Sequence, residues 1–375
     1  MKVLQVSKFF PPVMGGIESV AWELTEGLNR AGVRTDVLCS HQQLASSHEK
    51  APSGYDIVRA GAWGMVLSTS VAPAMVLKLR RMAADCDLVH LHMPDPMAAL
   101  ALMLSGTRAR VVVHWHSDVI RQRWALKLYD PLQQWLLARA DAVVATSQPY
   151  VEGSAVLRRW RSKVTVIPIG ISDNHSLACS QKAASIRQRF RDRKIVFALG
   201  RMTYYKGFDV LIDAAEQLPD SCAVLIGGKG ELLDLFRSAV ARRGLSGKVH
   251  LLGHVSDDDL PSHFEACDVF CMPSTVRAEA YGVAMLEAMV MAKPIVASDV
   301  AGSGVPWVNL HGQTGLNVPV SQPQALAGAL ATLLEDADLR TRMGAAARQR
   351  YENEFNAQTM TARTLELYER LLSSR

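Results

Sequence analysis

The stretch Ile195-Val-Phe-Ala-Leu199-Gly-Arg-Met-Thr-Tyr-Tyr-Lys-Gly207 indicates the fold class of this chain. Five consecutive apolar residues at its start predict a short strand that is buried on both faces. A polar loop bounded by two glycines follows, and a helix is predicted to begin near Phe208. A buried strand that leads through a loop into a helix is the repeating unit of a parallel sheet covered by helices.

The same alternation of strand and helix extends in both directions from this stretch. Further short apolar strands are predicted at residues 2–6, 35–39, 88–92, 111–114, 142–145, 223–226, 249–252, 269–272 and 295–297. Amphipathic segments such as 17–31 and 72–84 lie between the strands and predict helices. The sequence therefore predicts an α/β protein built from doubly wound parallel sheets.

The chain is predicted to divide into two Rossmann-like domains. Its 375 residues exceed the roughly 250–300 at which a single core stops growing. A break falls at Val166-Ile-Pro-Ile-Gly170, where a strand ends in proline and glycine. We therefore expect an N-terminal domain at 1–170 and a C-terminal domain at 171–355, followed by a helical segment at 356–375 that no strand follows.

Composition excludes several classes of protein. Hydrophobic residues make up 49% and charged residues 21%, which are ordinary globular values. No charge-free apolar stretch reaches the 18 residues of a membrane span, and the six cysteines form no CxxC pair. We therefore expect a cytoplasmic protein with reduced cysteines.

The net charge of +5 is unevenly distributed. Residues 1–170 hold 19 basic and 13 acidic residues, a net of +6, and residues 171–375 hold 22 and 23, a net of −1. This asymmetry predicts that the first half meets an anionic partner.

Two loops after predicted strands have the composition of phosphate sites. Gly15-Gly16 follows the first strand and opens a helix, which would let a phosphate approach backbone amides; the alternative is a simple turn. Arg201 and Lys206 lie in the loop after the 195–199 strand, where two cations suit a diphosphate; the alternative is a solvated loop. Ligands of open parallel sheets bind at this end of the strands.

Two glutamates flank the start of the most distinctive predicted helix, at 282–292. This helix is apolar on every side except at Glu287, and a buried carboxylate is costly unless it has a partner. Glu287 is therefore predicted to pair with a cation or to accept hydroxyl groups of a ligand; a buried structural salt bridge is the alternative. Glu279 precedes the helix, and Gly282 and Val283 would offer free amides at its N-terminus.

Two possible metal sites are considered and disfavoured. Asp85-Cys-Asp87 has the spacing of an acidic metal-binding motif, but it precedes a strand, at the opposite end from where ligands bind. The pairs His90/His92 and His114/His116 place side chains on one face of each strand, but no nearby cysteine or carboxylate set completes a zinc site. The sequence therefore predicts no metal.

These features together resemble glycosyltransferase family 4. The resemblance covers nearly the whole chain and includes the paired glutamates, the Arg201/Lys206 loop and the Gly-Gly loop. It also includes the segments His114-Trp-His-Ser-Asp118, Leu252-Gly-His-Val255, Gly302-Ser-Gly-Val-Pro306 and His311-Gly-Gln-Thr-Gly-Leu316. It implies the GT-B fold, in which two Rossmann-like domains face each other across a cleft, and a C-terminal helix that packs back on the first domain.

The resemblance implies roles for residues at the matching positions. Arg201 and Lys206 would hold the diphosphate of a nucleotide-sugar donor. Glu279 would contact the hydroxyls of the donor sugar, and Glu287 would accept the ribose hydroxyls. Val255 would meet the base through its backbone.

Further roles follow from the same resemblance. Gly15 and Gly16 would close on the diphosphate from the first domain, which would bind the acceptor. The Tyr281–Val283 segment (Tyr281, Gly282 and Val283) would lie at the phosphates. His116 would lie near the anomeric carbon, and Glu18 would lie on the acceptor side.

The mixture of basic and apolar residues at 71–84 and 119–140 predicts contact with an anionic membrane surface. A core helix with a solvated charged face is the alternative. The basic residues concerned are Lys78, Arg80, Arg81, Arg121, Arg123 and Lys127. Nucleic acid is disfavoured because no aromatic stacking platform is recognisable and the basic excess is modest.

The function implied is a metal-independent, retaining transfer of a hexose to a lipid-linked or saccharide acceptor, without a cofactor. The resemblance is strongest to bacterial enzymes of surface polysaccharide (lipopolysaccharide) synthesis, often mannosyl- or rhamnosyltransferases. GDP-mannose is therefore the favoured donor over a UDP-sugar. A nucleotide-sugar epimerase of the same fold and a non-catalytic nucleotide-sugar-binding protein remain as alternatives.

Overall fold

The computed structural model describes residues 1–119, 123–191 and 193–373, without the side chains of residues 123–128 and 176. The chain divides into two compact units, one formed by residues 1–172 with 357–375 and the other by residues 173–356. The sequence analysis placed these divisions at residues 170 and 355. In the described part of the chain, no helix is both long and apolar enough to cross a membrane.

The first unit is built on an eight-stranded sheet. Its strands are β1 (Lys2–Ser7), β2 (Arg34–Ser40), β3 (Ser47–Lys50), β4 (Asp56–Ala60), β7 (Leu88–Met93), β8 (Arg110–Trp115), β9 (Ala142–Ala145) and β10 (Val164–Val166); β5 (Met65–Val66) and β6 (Thr69–Ser70) form a separate hairpin. Its helices are α1 (Gly16–Arg30), α2 (Ala74–Met82), α3 (Pro96–Ser105), α4 (Arg123–Arg139), α5 (Gln148–Gly153) and α6 (Ala155–Arg159).

The sheet of the second unit has six strands. They are β11 (Lys194–Leu199), β12 (Cys222–Gly227), β13 (Val249–Gly253), β14 (Val269–Met272), β15 (Ile295–Asp299) and β16 (Gly315–Pro319). The helices of this unit are α7 (Ser180–Arg189), α8 (Phe208–Ala215), α9 (Leu233–Arg242), α10 (Leu260–Ala266), α11 (Val283–Val290), α12 (Val305–Val308), α13 (Pro323–Glu335) and α14 (Ala337–Arg350). The last helix of the chain, α15 (Ala357–Ser373), belongs to the first unit.

Strand order explains where ligands can bind in each unit. The first sheet runs β10-β9-β8-β7-β1-β2-β4-β3, and the second runs β13-β12-β11-β14-β15-β16. All strand pairs in the two sheets are parallel except β3 with β4. The order reverses between β1 and β7 and between β11 and β14, and a crevice opens outside the carboxyl ends of the strands at such a switch point. These sheets confirm the predicted doubly wound α/β class.

The sequence pattern finds most strands of the two sheets, including the edge strand β13, and misses β3, β4 and β16. The central strands are buried along almost their whole length, which produces the continuous apolar runs used for prediction. Strand β3 (Ser-His-Glu-Lys) is mostly exposed at the sheet edge, and β16 carries Asn317 and ends in Pro319. Edge strands of this kind lack both an apolar run and alternation, so no period marks them.

The C-terminal helix α15 packs on α1 within the first unit. Gly27 of α1 is the contact point, because a Cβ atom there would lie 2.1 Å from Oγ1 of Thr361. Two backbone contacts hold the start of α15: the N–H of Ala357 donates to the carbonyl of Ile171, and that of Gly170 to Sδ of Met360. Tertiary packing, rather than a local signal, therefore places the last helix.

We predict that Gly27→Ala destabilises the first unit by about 1–3 kcal/mol, because the added methyl group overlaps Thr361. The measurement is urea unfolding followed by circular dichroism. Adding Thr361→Ala should recover part of the loss, since it removes the nearest atom.

Gly328→Ala is the matched control, because a Cβ atom at this helical glycine of α13 has open space. That substitution should be neutral or stabilising by up to about 1 kcal/mol. Equal effects of the two glycine substitutions would contradict the proposed α1–α15 contact.

Candidate functional site

A buried ion pair lies at the switch point of the second unit. Lys206, in the loop after β11, lies 2.6 Å from Oε2 of Glu279, in the loop after β14. Only 12% and 10% of the two side chains are exposed. The loops after the two central strands thus bring together a cation and a carboxylate that lie 73 residues apart in sequence.

Glycines make room for Lys206. A Cβ atom on Gly200 would lie 2.9 Å from Cε of Lys206, so the missing side chain leaves space for the lysine stem. Gly207 has φ +66° and its Cβ position lies 1.9 Å from the carbonyl oxygen of Pro273. A residue with a side chain would therefore be both strained and blocked there.

Hydroxyl groups hold Glu279 in place. Ser274 donates through Oγ to the Glu279 carboxylate at 3.1 Å, and Ser303 donates through Oγ to the Glu279 carbonyl oxygen. Burial is the largest single effect and lowers the pKa of Lys206, but the charge and hydrogen bond of Glu279, together with the charge of Tyr205, outweigh it, so the pKa is raised. Lys206 is therefore firmly protonated at neutral pH.

Arg201 contrasts with Lys206. Its side chain is exposed, and it forms no hydrogen bond or ion pair with any described residue. Its positive charge is close enough to Lys206 to oppose the raised pKa of that lysine. The structure thus brings both predicted cations together and leaves one of them unengaged.

Glu287 lies one turn into α11 and has no partner. No described side chain or backbone group forms a hydrogen bond or ion pair with its carboxylate. Burial, with a smaller contribution from the negative charge of Asp257, raises the pKa of Glu287 to about 7. The alternative of a buried structural salt bridge is therefore not formed among the described residues, and the carboxylate is left for a ligand.

In the segment that precedes α11, the tyrosine side chain is buried, while two backbone N–H groups have no described acceptor. Tyr281 is buried, and its ring lies 6.4 Å from that of Trp307 and 6.3 Å from that of Phe355. Gly282 has φ +84°, and no described acceptor receives the N–H groups of Gly282 or Val283. Tyr281 thus anchors the segment in an aromatic cluster, and the backbone supplies the free donors.

Val255 follows β13, two strands away from β11 in the sheet. Its Cγ2 lies 3.0 Å from the position that a Cβ atom on Gly227 would occupy, so Val255 packs over the end of β12. Its neighbour Gly253 has φ +70° and accepts a hydrogen bond from the N–H of Gly228 at 2.6 Å. This contact fixes the backbone of the loop that carries Val255.

In the first unit, the Gly-Gly loop follows β1 at the switch point. Gly15 and Gly16 are exposed, and α1 begins at Gly16. The Glu18 carboxylate folds back over the loop, with Oε2 2.6 Å from the Cβ position of Gly15. A carboxylate therefore already occupies the positive end of α1, where a phosphate was expected to bind.

His116 lies at the carboxyl end of β8, buried within a row of four histidines. Its Nε2 lies 2.9 Å from Nδ1 of His92, and Nε2 of His92 lies 2.9 Å from Oε1 of Gln5. His90 contacts the hydroxyl of Tyr368 on α15 through Nδ1. Burial lowers the pKa of His114 to about 3 and that of the other three histidines well below the usual range.

Three of these histidines also form a possible donor set for a metal ion. The ring nitrogens of His90, His92 and His114 lie within 4.8 Å of one another. Tetrahedral zinc would hold nitrogens roughly 3.4 Å apart, given bonds of about 2.0–2.1 Å. Both nitrogens of His92 are already engaged with His116 and Gln5. We therefore assign no metal to this cluster.

Asp95 is a residue at the first switch point that the sequence analysis did not single out. It follows β7 and caps α3, with Oδ1 accepting from the N–H groups of Met97 and Ala98. Its Oδ2 has no described partner, and burial raises the pKa of Asp95 to about 6. The Asp-Pro pair just after a buried strand could have signalled this cap.

The basic residues assigned to a membrane surface fall into two groups. Lys78, Arg80 and Arg81 lie on α2, and none forms a hydrogen bond or ion pair with a described residue. Arg121 lies outside the described residues, and the side chains of Arg123 and Lys127 on α4 do as well. Among the described side chains, the basic surface predicted at a membrane is therefore that of α2.

Comparison with known proteins identifies the family. Residues 14–175 match the family described as Glycosyltransferase Family 4, and residues 181–350 match Glycosyl transferases group 1. O-antigen chain mannosyltransferase C of Escherichia coli is 32% identical, over 100% of both chains. D-rhamnosyltransferase WbpZ of Pseudomonas aeruginosa is 35% identical, over 95% of this chain and 93% of that protein.

Solved structures show the same fold. Anabaena Alr3699/HepE in complex with UDP-glucose superimposes with a TM-score of 0.79 at 22% identity, covering 100% of both chains. Sucrose-phosphate synthase of Thermosynechococcus elongatus gives a TM-score of 0.82 at 21% identity, again over 100% of both chains. These matches confirm the resemblance found in the sequence: the chain belongs to glycosyltransferase family 4, has the GT-B fold and is a hexosyltransferase.

Proposed function

We propose that the protein is a retaining enzyme that moves mannose or a related hexose from a nucleotide diphosphate sugar to a lipid-linked or saccharide acceptor. GDP-mannose is the favoured donor over a UDP-sugar, and surface polysaccharide synthesis is the process. Relatives named as O-antigen mannosyltransferase and D-rhamnosyltransferase support this proposal. The observation that carries it is the unpartnered Glu287, a carboxylate with a raised pKa one turn from free helix amides.

The second unit would bind the donor. Departure of a nucleoside diphosphate concentrates negative charge on the leaving oxygen, and preorganised positive groups stabilise that charge. Arg201, Lys206 and the amides at Gly282 and Val283 would supply this stabilisation without a metal or cofactor. Glu287 would accept the two ribose hydroxyls, and Val255 would meet the base through its backbone.

Glu279 would have two tasks in this site. In the free protein it holds Lys206 in place. In the complex it would also accept hydroxyls of the donor sugar, and Lys206 would turn toward the diphosphate. Because both groups are buried, the diphosphate would replace part of the charge compensation that Glu279 now gives Lys206, and the sugar hydroxyls would donate to the Glu279 carboxylate in place of Lys206.

The first unit would bind the acceptor, with Glu18 near it and Gly15 and Gly16 approaching the diphosphate. His116 would lie near the anomeric carbon. Retention would follow a front-face route in which the leaving phosphate takes the acceptor's proton. Trapping a covalent glycosyl-enzyme would contradict this route.

The direct test is product formation with purified protein. We expect hexose transfer from GDP-mannose to a lipid-linked saccharide, and no transfer or epimerised sugar when the acceptor is omitted. Thermal shift with GDP and UDP compares the bases, because binding to the folded state raises the unfolding temperature. A larger shift with UDP would overturn the donor assignment.

We predict that Arg201→Ala lowers kcat by about 10²–10³, the effect of removing one preorganised charge from a transition state. Its exposed side chain has no described partner, so the unfolding temperature should not change. Arg242→Ala on α9, which removes another exposed, unpaired arginine of the same unit, should leave both quantities unchanged. Unaltered kcat in Arg201→Ala would remove this residue from the site.

Lys206→Ala is a poorer test of the diphosphate site than Arg201→Ala. Removing the lysine leaves Glu279 buried without its partner, which costs about 3–5 kcal/mol. A double substitution of Arg201 and Lys206 would therefore lower the stability of the fold as well as the transfer rate, because it breaks the buried pair. The fold-neutral test of the diphosphate site is therefore Arg201 alone.

We predict that Glu287→Gln weakens nucleotide binding by about 10–100-fold, the range of hydrogen bonds to a charged group. The same substitution should stabilise the free protein above pH 7. A carboxyl whose folded pKa of about 7 exceeds its ordinary 4.5 holds its proton longer when folded. Its contribution to stability is therefore lost as pH rises from about 4.5 to 7.

Calorimetry with GDP and unfolding at pH 5 and pH 8 measure the two effects of Glu287→Gln. Glu335→Gln, at the exposed end of α13, is the control and should alter neither. Weaker binding together with lower stability at pH 8 would instead mean that Glu287 supports the fold.

Membrane contact through α2 is the finer part of the proposal, with the protein peripheral on the cytoplasmic face. Lys78, Arg80 and Arg81 have no described partners, and Leu77 beside them is 60% exposed. The preceding hairpin adds Trp63 at 74% exposure. The 17 residues 61–77 contain no charge. Apolar side chains beside free cations suit an anionic bilayer surface.

We predict that exchanging Lys78, Arg80 and Arg81 for glutamine weakens binding to phosphatidylglycerol vesicles by about a hundredfold, at about 1 kcal/mol per charge. Vesicle cosedimentation is the measurement. Exchanging Arg158, Arg159 and Arg161 removes the same charge from another part of the first unit. An equal loss in both triple variants would mean attraction by net charge and would contradict a surface on α2.

A further inference from the structure

His116 is the last member of a hydrogen-bonded chain that begins on the central strand β1. Gln5 of β1 faces His92 of β7, and His92 faces His116 of β8, with 2.9 Å at each contact. The three strands are neighbours in the sheet. The rings of His92 and His116 lie within 15° of parallel with centroids 5.2 Å apart, which fits an edge-to-edge N–H···N bond.

The environment keeps both imidazoles neutral at neutral pH. Burial and the neighbouring histidines hold the pKa values of His92 and His116 well below the usual range. A hydrogen bond between two neutral imidazoles needs one N–H donor and one lone pair. The tautomers of the two rings are therefore coupled, and whichever group fixes one ring also fixes the other.

Gln5 is the group that fixes them. Its Oε1 faces Nε2 of His92 and can only accept, so His92 must carry its proton on Nε2. The Gln5 amide lowers the pKa of the Tyr368 hydroxyl on α15, against the larger effect of burial, but its Nε2 is buried and forms no hydrogen bond with a described residue. The contact between Oε1 and His92 is therefore the hydrogen bond of the Gln5 side chain among the described residues.

The donor and acceptor roles of the other ring nitrogens in this hydrogen-bonded row follow in turn. With its proton on Nε2, His92 offers a lone pair at Nδ1, so His116 must donate through Nε2–H. Nδ1 of His116 is then a lone-pair acceptor. Among the described residues, Nδ1 of His116 has no partner. Unlike Nε2 of His90 and both nitrogens of His114, it is not one of the unpaired atoms that the protein encloses completely.

We propose that Gln5 and His92 are positioning residues that hold His116 as the Nε2–H tautomer and so present Nδ1 to accept a hydrogen bond from a substrate hydroxyl. This proposal rests on the proposed function in one respect, that His116 faces the substrate. It assigns the work to the side chain of His116, since the backbone N–H already donates to the carbonyl of Met93.

The primary test reads the tautomer in the ligand-free protein. Long-range proton–nitrogen NMR spectra of nitrogen-15 histidine-labelled protein distinguish protonated from unprotonated ring nitrogens. His116→Gln identifies the His116 signals by their loss. We expect Nε2 of His116 to be protonated and Nδ1 not. The opposite pattern, or an averaged one, would overturn the proposal whatever the enzyme's substrates are.

The second test removes the anchor. Gln5→Leu should convert the His116 signals to a tautomer mixture and lower kcat about tenfold, with KM for the donor nearly unchanged. Gln5→Glu keeps an acceptor oxygen toward His92 and should restore the wild-type signals and most of the activity. A wild-type tautomer and kcat in Gln5→Leu would contradict the positioning role.

Ser7→Ala is the matched control, because it lies two residues along the same face of β1 and its hydroxyl has no described partner. It should change neither the spectra nor kcat. If Gln5→Leu fails to fold, the wild-type spectrum and Gln5→Glu still decide the question. If no donor supports transfer, the proposed function fails, and the tautomer measurement remains an independent result.

Discussion

Parallel strand direction is the constraint on which both candidate sites depend. In each unit the carboxyl ends of the central strands lie at the same end of the sheet. The strand order reverses next to the strand that comes first in sequence, β1 or β11. Loops that are distant in sequence therefore meet without any direct signal between them. Lys206 and Glu279 form a pair across the second switch point. Gly15 and Asp95 lie in loops beside the first switch point, and Glu18 lies in the first turn of α1 there.

The charged groups at the candidate site of the second unit are of two kinds: those that pair with each other and support the fold, and those that a ligand could bind. The charges of Lys206 and Glu279 compensate each other in a buried site. Removing either residue would therefore leave the other charge buried without its partner. Glu287 has a raised pKa, Arg201 is exposed, and neither side chain has a partner in the part of the chain that the structure describes. A ligand with a diphosphate and neighbouring hydroxyls would satisfy all of these groups at once.

In the first unit, residues of the sheet core contact a candidate site residue. Gln5, His92 and His116 form one hydrogen-bonded row across three neighbouring strands. A hydrogen bond between neutral rings needs one donor and one acceptor, so the row leaves few arrangements of protons. In the proposed arrangement, the tautomer of His116 is therefore set by the contacts of Gln5 and His92 in the core.

The central strands, the α/β class and the family could be predicted from sequence. Buried parallel strands produce apolar runs, and the loop residues that resemble glycosyltransferase family 4 are contiguous. The edge strands β3 and β16 could not, because exposed or interrupted strands carry no hydrophobic period.

Local pattern predicts that Glu287 lies on an apolar helix, and the fold decides that no described residue pairs with its carboxylate. The partners of Lys206, His116 and Gly27 likewise arise only on folding, because each contact joins segments that the chain brings together from 24 to more than 300 residues apart.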